Sequence, residues 1–551
     1  MTHESPHTSK DNDPLPLHEL LSQLLLPKMQ HSTSCIQWIP MAGTLQTLNQ
    51  QLVNQPFLDF LNYNLRGIGQ VIFVNNPISG LLILIALFIQ SPWVGVMSVV
   101  GVMASTLTAI LLKLDRTSLR NGIFGYNGIL VGAAIATFGS SGNGNWNPLW
   151  VVATALFSAL TTVFINTAGV WFASKLKFPP LTLPFIVGTL LFLALATWIP
   201  QPVFKLEIAS PALPPAPLDW LRLAAALPIG FGQVFLMDQF LPGVLVLLAV
   251  GLCTPMGAAI GLLGGLLGIL AGFVFGASTP AIYAGLWSYN AVLTAMAIAG
   301  VFYAPNLRSI GVGGGAALVS ALLGGLLGIG FSQVGLPILT LSFCIVTIIG
   351  FLVLRRSLPS LVPVALHAIS SPEEHRQRFV VAKEIITTFR RQLKDAMAGT
   401  PRRHLLESAS DATQKDLKYL FNAIDTNFSE TISVEELADH LRHLKRPLSE
   451  EELVYLFKSL DIDQNGEIDF AEFGELMLRQ QRLMANYPEF VTYFLPIDAN
   501  EDDAISIDEM NVAIASVGEL PLSKDEISFL QIRMGNQPLS WNRFIEMLLV
   551  T

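Results

Sequence analysis

The chain has 551 residues, of which 52% are hydrophobic and only 13% are charged, and its mean hydropathy is +0.53. Such a chain is too apolar and too long for one soluble domain, so the first expectation is a membrane protein. The net charge of -9 lies mainly in the last third, and no basic stripe with interleaved aromatic residues occurs, which argues against nucleic-acid binding. Cys35, Cys253 and Cys344 are far apart, so neither a disulfide framework nor a zinc site is expected.

The N-terminal segment, residues 1–54, begins MTHESPHTSKDNDPLP, which is polar and lacks the pattern of a cleaved signal peptide. We expect a disordered cytoplasmic tail. Beyond it, ten apolar runs are long enough to cross or nearly cross a bilayer. They lie at residues 78–90, 92–112, 121–138, 148–174, 180–199, 241–253, 255–276, 282–303, 309–332 and 336–355. Shorter glycine-flanked segments near 57–77 and 219–240 precede each set of five and are predicted to be re-entrant or broken helices.

The first set of runs is repeated in the second. GIGQVIFVNNPISG, starting at Gly67, returns 163 positions later as GFGQVFLMDQFLPG, starting at Gly230, and GYNGIL is followed at the same offset by SYNAVL. LTLPF at 181–185 matches LTLSF at 339–343 at an offset of 158, because the polar loop GSSGNGNWNP lengthens the first half. Five crossings per copy is an odd number, so the second copy enters from the opposite face.

The sequence therefore predicts an all-α polytopic membrane protein of two inverted repeats, residues 55–217 and 218–356, with about ten transmembrane helices, two re-entrant segments and a functional site at the repeat interface. The distribution of cations gives the orientation. With the N-terminus inside, the cytoplasmic loops hold Lys113, Arg116, Arg120, Lys175, Lys177, Arg308, Arg355 and Arg356, whereas the opposite side has chiefly Lys205. We expect a multi-pass protein of the cell membrane with both termini in the cytoplasm.

The predicted spans contain none of the carboxylates or histidines on which ion-coupled transporters depend. Their polar groups are uncharged and paired between the halves, which suits a small neutral solute. The pairs are Gln70 with Gln233, Tyr126 with Tyr289, Asn127 with Asn290, and Thr182 with Thr340.

Several of these motifs together resemble the urea transporter family over nearly all of residues 55–355: QVIFVNNPISGLLILIALFIQSPW, STLTAILLKLDRTSLRNGIFGYNGILVG, GLWSYNAVL and LTLSF. The resemblance implies a homotrimer of channel-like subunits, each with its own pore. It also implies that Gln70 and Gln233 begin a ladder of hydrogen-bond acceptors at the two mouths, and that Thr182 and Thr340 place hydroxyls at the waist. The faces of a flat slot would come from Val71, Phe73, Tyr126, Leu130, Val234, Leu236, Tyr289 and Leu293.

This arrangement suits urea, which is planar and carries several N–H donors and one acceptor. Acceptors along one wall replace the hydrogen bonds that urea loses to water. Apolar faces above and below admit a thin plate but offer hydrated ions no adequate coordination. In the second half Leu236 replaces the aromatic Phe73, which leaves the shape of that side of the slot and the selectivity over close amides open.

Residues 357–404 are rich in charges with apolar residues at helical spacing, and we expect an amphipathic linker helix packed on the next domain. Residues 405–551 contain loops with the ligand spacing of EF-hands, which bind calcium. DIDQNGEIDFAE meets that pattern at every position, with Asp461, Asp463, Asn465, Glu467, Asp469 and Glu472 as ligands and Gly466 at the bend.

Two further loops match less fully. The first, at 425–436, offers Asp425, Asn427, Ser429, Thr431, Ser433 and Glu436, with Glu430 instead of glycine at the bend. The third, at 498–509, offers Asp498, Asn500, Asp502, Ala504, Ser506 and Glu509, with Asp503 at the bend. A bend residue other than glycine must adopt a left-handed conformation at some cost. A fourth unit has the helices without the ligands and is predicted to be the metal-free partner of the third.

These observations predict a passive urea channel with a calcium-binding, regulatory EF-hand domain. Two alternatives are a channel for ammonium or short amides, and a calcium-dependent docking protein anchored in the membrane. An enzyme is not expected, because no nucleophile with a base, phosphate loop or catalytic metal centre is visible.

Overall fold

A computed structural model of the chain describes residues 21, 42–139, 148–198, 217–358, 361, 364, 371–398, 404–442, 449–461, 465–485, 504–534, 539–540 and 545. The chain divides into two compact units. The N-terminal unit comprises Trp38–Arg376, and the C-terminal unit comprises Gln377–Thr551 together with Met1–Gln37.

The first half of the N-terminal unit consists of helices joined by turns and short loops in its described residues. Its helices are α1 (Gln46–Gln51), a 3-10 turn (Leu52–Asn54), α2 (Pro56–Gln70), α3 (Pro77–Gln90), α4 (Pro92–Leu111), α5 (Arg116–Arg120), α6 (Tyr126–Phe138), α7 (Pro148–Trp171) with a π-helical extension (Phe172–Leu176), and α8 (Leu183–Trp198).

The second half repeats this order. Its helices are α9 (Trp220–Gln233), α10 (Phe240–Cys253), α11 (Pro255–Phe275), α12 (Thr279–Tyr283), α13 (Tyr289–Met296) with a π-helical extension (Ala297–Val301), α14 (Leu307–Gln333) and α15 (Leu341–Ser357). A long helix, α16 (Pro372–Met397), continues from this unit into the next.

Proline and capping side chains determine where many of these helices begin. Asn76 accepts hydrogen bonds from the N–H groups of Ile78 and Ser79 at 2.8 and 3.2 Å, and Pro77 occupies the first helical position of α3. Thr254 likewise caps α11, which begins at Pro255, with a hydrogen bond from Gly257 N–H at 2.9 Å. The free N–H groups of a helix start are thereby satisfied inside an apolar structure.

Four of the described helices are long and apolar enough to cross a membrane by length and composition: α4, α7 with its extension, α11 and α14. Shorter apolar helices occupy the other predicted runs, namely Pro77–Gln90, Tyr126–Phe138, Leu183–Trp198, Phe240–Cys253, Tyr289–Val301 and Leu341–Arg355.

Neither predicted third run is one continuous helix: residues 121–125 form turns ahead of α6, and the run at 282–303 is interrupted between α12 and α13. Between α5 and α6 the chain turns at Gly122 with a φ of 73°, and between α12 and α13 it turns at Gly285 with a φ of 72°. A Cβ at Gly122 would lie 2.2 Å from the backbone nitrogen of Gly67, and one at Gly285 would lie 2.8 Å from that of Gly230. Glycine is therefore required at both turns for its conformation and for the close backbone approach.

The expectation of a disordered tail over residues 1–54 is wrong for its last part. Residues 42–54 include α1 and pack on the N-terminal unit. Ala42 N–H donates to the carbonyl of Leu252 at 2.9 Å, and the Asn76 side chain donates to the carbonyl of Gly43 at 2.6 Å. Buried side-chain donors in the unit thus find backbone acceptors in this segment.

The C-terminal unit consists of helix–loop–helix elements. Its described elements after α16 are α17 (His404–Ser408), α18 (Asp411–Ile424), β1 (Thr431–Ile432), α19 (Val434–Leu441), α20 (Glu450–Leu460), β2 (Ile468–Asp469), α21 (Phe470–Ala485), β3 (Ala504–Ile505), α22 (Ile507–Ser516), α23 (Lys524–Met534) and β4 (Leu539–Ser540). Strand β1 pairs antiparallel with β2, and β3 pairs antiparallel with β4. The first and second loops are therefore paired through their strands, and the third loop is paired with the fourth unit, which was predicted to be its partner.

Candidate functional site

The two Gln-Val motifs form the same local structure. Gln70 ends α2 and Gln233 ends α9, and each glutamine carbonyl accepts a hydrogen bond from the backbone three residues on. The donors there are Phe73, with a φ of 62°, and Leu236, with a φ of 60°. A left-handed conformation is unfavourable for such large residues, so its occurrence at both positions marks a specified turn.

The side chains of the two glutamines also have matching partners. Gln70 Nε2 donates to the carbonyl of Asn121 at 3.2 Å, and Gln233 Nε2 donates to the carbonyl of Ala284 at 2.8 Å. Residue 284 is 163 positions after residue 121, the offset of the sequence repeat. Because one N–H of each side-chain amide is bonded within the protein, the orientation of the carboxamide is fixed, and its oxygen can accept a hydrogen bond from a solute.

The two threonines meet. Thr182 Oγ1 and Thr340 Oγ1 are 2.7 Å apart, and Thr182 Oγ1 is also 3.2 Å from Cys344 Sγ. Each threonine follows a leucine in the left-handed region, Leu181 with a φ of 52° and Leu339 with a φ of 51°. The repeat thus joins its two halves through a direct hydrogen bond between equivalent hydroxyls.

The tyrosines hold these leucine turns in place. Tyr126 OH donates to the carbonyl of Leu181 at 2.7 Å, and Tyr289 OH donates to the carbonyl of Leu339 at 2.6 Å. Asn127 Oδ1 accepts from Phe185 N–H at 3.1 Å, whereas Asn290 Nδ2 donates to the Leu339 carbonyl at 3.3 Å. The tyrosines are therefore equivalent in the two halves and the asparagines are not.

The apolar residues predicted for the slot differ in exposure. Phe73, Tyr126 and Leu236 are half-buried, and the ring of Phe73 packs edge-on against Phe302 and Phe343 at 6.3 and 6.1 Å between centroids. The other predicted slot residues, together with Tyr289, are buried in the helical core: Val71, Leu130, Val234 and Leu293. Their role as slot walls stays a prediction.

Sequence reasoning missed a buried polar network beside Gln70. Arg66 is fully buried and donates to the carbonyls of Thr44, Leu45 and Asn75, to Asn75 Oδ1 and to Asn62 Oδ1. Asn75 Nδ2 in turn donates to the carbonyl of Asn121 at 3.3 Å, the same carbonyl that Gln70 contacts. The only sequence signal was a charged residue four positions before Gln70, and Ile229 occupies the equivalent position in the second half.

A second missed pair lies at the start of α2. Asp59 is 5% exposed, forms an ion pair with Arg120 at 3.2 Å and accepts a hydrogen bond from Tyr63 OH at 2.5 Å. Arg120 also donates to the carbonyl of Asn49. Arg120, which was expected to be a loop cation, is thus a structural partner of α1 and α2.

In the C-terminal unit the first calcium loop has its predicted shape. Asp425 accepts hydrogen bonds from the N–H groups of Ser429 and Glu430, both at 3.0 Å. Glu430 has a φ of 66°, the left-handed bend expected where other loops have glycine. Glu436 forms a capping box with Ser433 at the start of α19.

Hydrogen bonds keep Glu436 ionised. Burial alone raises its pKa, but the N–H and hydroxyl of Ser433 and the N–H groups of Asn427 and Thr426 outweigh that effect and lower the pKa below its usual range. An ionised carboxylate at the last loop position is what a calcium ligand requires.

The second loop is similar. Asp461 accepts from Asn465 N–H and Gly466 N–H, both at 3.0 Å, and Gly466 has a φ of 86°. Glu472 is 2% exposed, and its carboxylate accepts a hydrogen bond from Asp469 N–H while its own N–H donates to Asp469 Oδ1. Asp463 lies outside the described residues, and within the described part of the chain no group of three His, Cys, Asp or Glu residues is placed to hold a metal.

The third loop is only partly described. Asp498, Asn500 and Asp502 lie outside the described residues, whereas the backbone of Ala504 is in β3 and Ser506 caps α22 together with Glu509. Asn and Ser side chains, backbone carbonyls and Asp or Glu carboxylates are the oxygen donors that calcium prefers, so the donor sets of the first two loops fit calcium.

Apolar helices arranged as two matched halves, followed by paired helix–loop–helix units, define a membrane transport protein joined to an EF-hand domain. The family model for urea transporters matches residues 61–355, and the model for an EF-hand domain pair matches residues 414–478. The chain belongs to the urea transporter family.

Individual relatives agree with this assignment. The chain is 35% identical over 340 residues to urea transporter 1 of Capra hircus, an alignment that covers 61% of this chain and 87% of the relative. It is 34% identical over 339 residues to urea transporter 1 of Rattus norvegicus, with the same coverage. Over 102 residues it is 36% identical to calcium-dependent protein kinase 9 of Arabidopsis thaliana, which covers 18% of this chain and 19% of the relative.

Proposed function

We propose that the chain is a passive urea channel of the cell membrane, with the two halves inverted relative to each other and the conduit between them. The observation that carries this proposal is the contact between Thr182 Oγ1 and Thr340 Oγ1 at 2.7 Å, flanked by equivalent Tyr–carbonyl hydrogen bonds. Equivalent groups from both halves meet there, as expected of the midpoint of a duplicated passage.

The chemistry of the paired groups supports a neutral solute. The proposed path contains carboxamides, hydroxyls, backbone carbonyls and apolar side chains, and the nearby guanidinium of Arg66 is fully buried among carbonyl oxygens. A urea molecule at the waist would replace the Thr–Thr hydrogen bond by bonds to its own N–H and carbonyl groups. Because hydrogen bonds are exchanged rather than lost, the barrier to an uncharged planar solute stays low.

The waist is tested by urea flux into proteoliposomes measured by stopped-flow light scattering. Thr340→Val keeps the side-chain shape but removes the hydroxyl, and the loss of about 1 kcal/mol of hydrogen bonding corresponds to roughly fivefold slower flux. Thr347→Val is the matched control, because Thr347 is buried on the same helix and its hydroxyl has no partner among the described residues. Equal urea flux in the two variants would contradict the proposal that the Thr340 hydroxyl contacts urea.

Passivity has its own test. Urea should equilibrate across the proteoliposome membrane whether or not a sodium or proton gradient is applied. Accumulation of urea above its external concentration under either gradient would contradict the proposal. A panel of ammonium, formamide and acetamide measured in the same assay distinguishes the alternative solutes.

We propose in addition that the protein is a homotrimer with both termini in the cytoplasm. The orientation is supported by the cations of the loops, among them Lys113, Arg116 and Arg308. Protease added to sealed cells should leave the C-terminal unit intact, and chemical cross-linking should stop at three copies. Cleavage of that unit from outside would reverse the orientation.

Calcium regulation is supported by the two sets of contacts that α16 makes. Near its start, Glu373 accepts hydrogen bonds from Thr254 OH and Met256 N–H, both at 2.7 Å, and so caps α11 of the N-terminal unit. Near its end, Arg390 donates to the carbonyls of Leu520 and Pro521 in the C-terminal unit. Each of these contacts lies within its own unit, and our proposal is that α16 transmits the calcium state of the hands.

The regulatory proposal predicts that urea flux differs between nanomolar and millimolar free calcium. Arg390→Gln should abolish the difference, whereas Arg391→Gln should keep it, because Arg391 is an exposed neighbour on the same helix. Equal flux of the unmodified protein at both calcium concentrations would leave calcium as a folding ion only.

A further inference from the structure

The second half contains a cavity of about 320 Å³ that the proposed solute path does not use. It lies between α13, α14 and the segment that leads to Thr340. Its walls include Trp287, Asn290, Ser320, Gly324, Gly328 and Ile338. Asn290, one of the paired polar residues predicted from the sequence, lines it, whereas Gln233, Tyr289 and Thr340 do not.

The deep side of the cavity carries polar atoms without partners among the described residues. Ser320 is completely buried and its Oγ has no hydrogen-bond partner. Asn290 is 3% exposed, and although its Nδ2 donates to the Leu339 carbonyl, its Oδ1 has none. Because buried polar atoms are normally paired, two such atoms in one cavity wall indicate a missing hydrogen-bonding group.

The equivalent position of the first half is filled by a side chain in the described residues. The buried positions of α7, including Ser158 and Thr161, recur 159 positions later on α14. On that alignment Gly324 replaces Ile165, a partly buried residue that packs against the cluster around Phe124. Thr161, which aligns with Ser320, donates to the carbonyl of Ser158 at 2.7 Å. Substitution in the second half has therefore removed a filling side chain and left the aligned hydroxyl unpaired.

The mouth of the cavity is apolar. Leu286 and Ile329 line it and are exposed, and no charged residue lines it in the described chain. If α14 crosses the membrane, as its length and composition allow, this mouth would face hydrocarbon and an occupant would enter from the lipid phase. Absence of charge excludes an ionic ligand, because nothing would compensate its desolvation.

We propose that this cavity is a binding site for a neutral, membrane-soluble molecule that has a flat ring and one hydroxyl. The ring lies against the glycine face of α14 and the indole of Trp287. The hydroxyl donates to Asn290 Oδ1 and accepts from Ser320 Oγ. The Asn290 amide and Ile338 adjoin Leu339, so the site lies directly behind the waist.

The probe for this site is 2-naphthol, added to the full chain in detergent while thermal unfolding is recorded. Naphthol should raise the unfolding temperature in a concentration-dependent manner, since a ligand that binds only the folded state stabilises it. Gly328→Leu should abolish that rise, because Gly328 lines the cavity, and a Cβ added there meets no atom within 4 Å, so the leucine can extend into the space. Ser320→Ala should weaken naphthol binding about fivefold and leave binding of naphthalene unchanged.

Gly315→Leu is the matched control. Gly315 lies on the same helix, has open space around its Cβ position and is outside the cavity, so this variant should respond to naphthol as the unmodified chain does. An equal rise in all variants would show that naphthol acts through the detergent, and no rise in any would show that nothing binds; either overturns the site. If a second copy of the chain covers the mouth, Gly328→Leu changes the oligomer mass and naphthol has no effect, which also overturns it.

Discussion

Replacement of Arg66 by methionine should destabilise the N-terminal unit far more than any surface charge substitution. The guanidinium is 0% exposed and donates five hydrogen bonds, two of them to the carboxamide oxygen and carbonyl of Asn75 at 2.5 and 3.0 Å. Methionine fills a similar volume but donates nothing. The carbonyls of Thr44 and Leu45 would then lose this buried donor.

The magnitude follows from these contacts. A hydrogen bond to a charged group contributes about 1.5–3 kcal/mol, but removal of Arg66 also removes the cost of keeping a guanidinium away from water. Loss of one partner from a buried charged network typically costs about 3–5 kcal/mol, and we expect a loss of this size in the free energy of unfolding. For a unit of this length it corresponds to roughly 4–7 °C in the unfolding temperature.

The assay is thermal unfolding of the full chain in detergent, with urea flux measured in parallel. Flux should fall because Asn75, which Arg66 holds, shares the Asn121 carbonyl with Gln70. The unfolding temperature of Arg66→Lys should lie between those of Arg66→Met and the unmodified chain, since lysine keeps the charge without the planar fork of donors. Arg222→Met is the control, because that side chain is 67% exposed in its ion pair with Asp219. Equal destabilisation by Arg66→Met and Arg222→Met would refute the reasoning.

Three further predictions concern single groups. Burial raises the pKa of Glu526, but the Ser523 N–H and the charge of Arg390 lower the pKa overall. The ionised Glu526 therefore stabilises the fold fully above the unfolded pKa of about 4.3, and this stabilisation is lost as the pH falls through the lower folded pKa. Glu526→Gln should make the unfolding temperature depend less on pH between pH 6 and about pH 3. Glu430→Gly should relieve about 1 kcal/mol of left-handed strain and tighten calcium binding at the first loop roughly fivefold by calorimetry, and unchanged affinity would mean that the bend is unstrained. Tyr126→Phe and Tyr289→Phe should each slow urea flux by a similar factor of roughly five, because each removes one equivalent hydrogen bond to a waist leucine; strongly unequal effects would argue against two equivalent halves.

The duplication could be read from the sequence because each copy depends on glycines and glutamines whose roles are local. Gly69 and Gly232 precede the glutamines, and Gly80 and Gly243 let neighbouring helices approach so closely that a Cβ would lie 1.9 and 2.3 Å from a carbonyl oxygen. Residues with such requirements recur at a fixed offset. The turns at Phe73 and Leu236 are equivalent even though the side chains differ, because both are specified by hydrogen bonds from their N–H groups to the Gln70 and Gln233 carbonyls.

The Arg66 network could not be predicted in the same way. Three of its five acceptors are backbone carbonyls, at Thr44, Leu45 and Asn75, and a carbonyl carries no signal in the residue type. The segment that provides two of them was also expected to be disordered, because its composition is polar. Only the folded arrangement shows that carbonyls of this segment accept hydrogen bonds from a buried guanidinium of the helical unit.

The cavity behind the waist was hidden by a change of register. Buried positions of α7 and α14 correspond at an offset of 159, whereas Leu181 and Leu339 correspond at 158. The π-helical extension Phe172–Leu176 lies between the two regions and accommodates one extra residue in the first half. Only the offset of 159 residues aligns Gly324 with Ile165 and shows that glycine replaces isoleucine there.

The strand pair between the first two EF-hand loops has a consequence for how these loops would bind calcium. Thr431 faces Asp469 and Ile432 faces Ile468, so the backbones of the two loops are hydrogen-bonded back to back. Calcium binding that orders one loop would also shift the paired strand of the other loop toward its calcium-bound conformation, so that the second ion would bind with higher affinity. The two loops should therefore bind calcium cooperatively, so that both become occupied over a narrow range of calcium concentration.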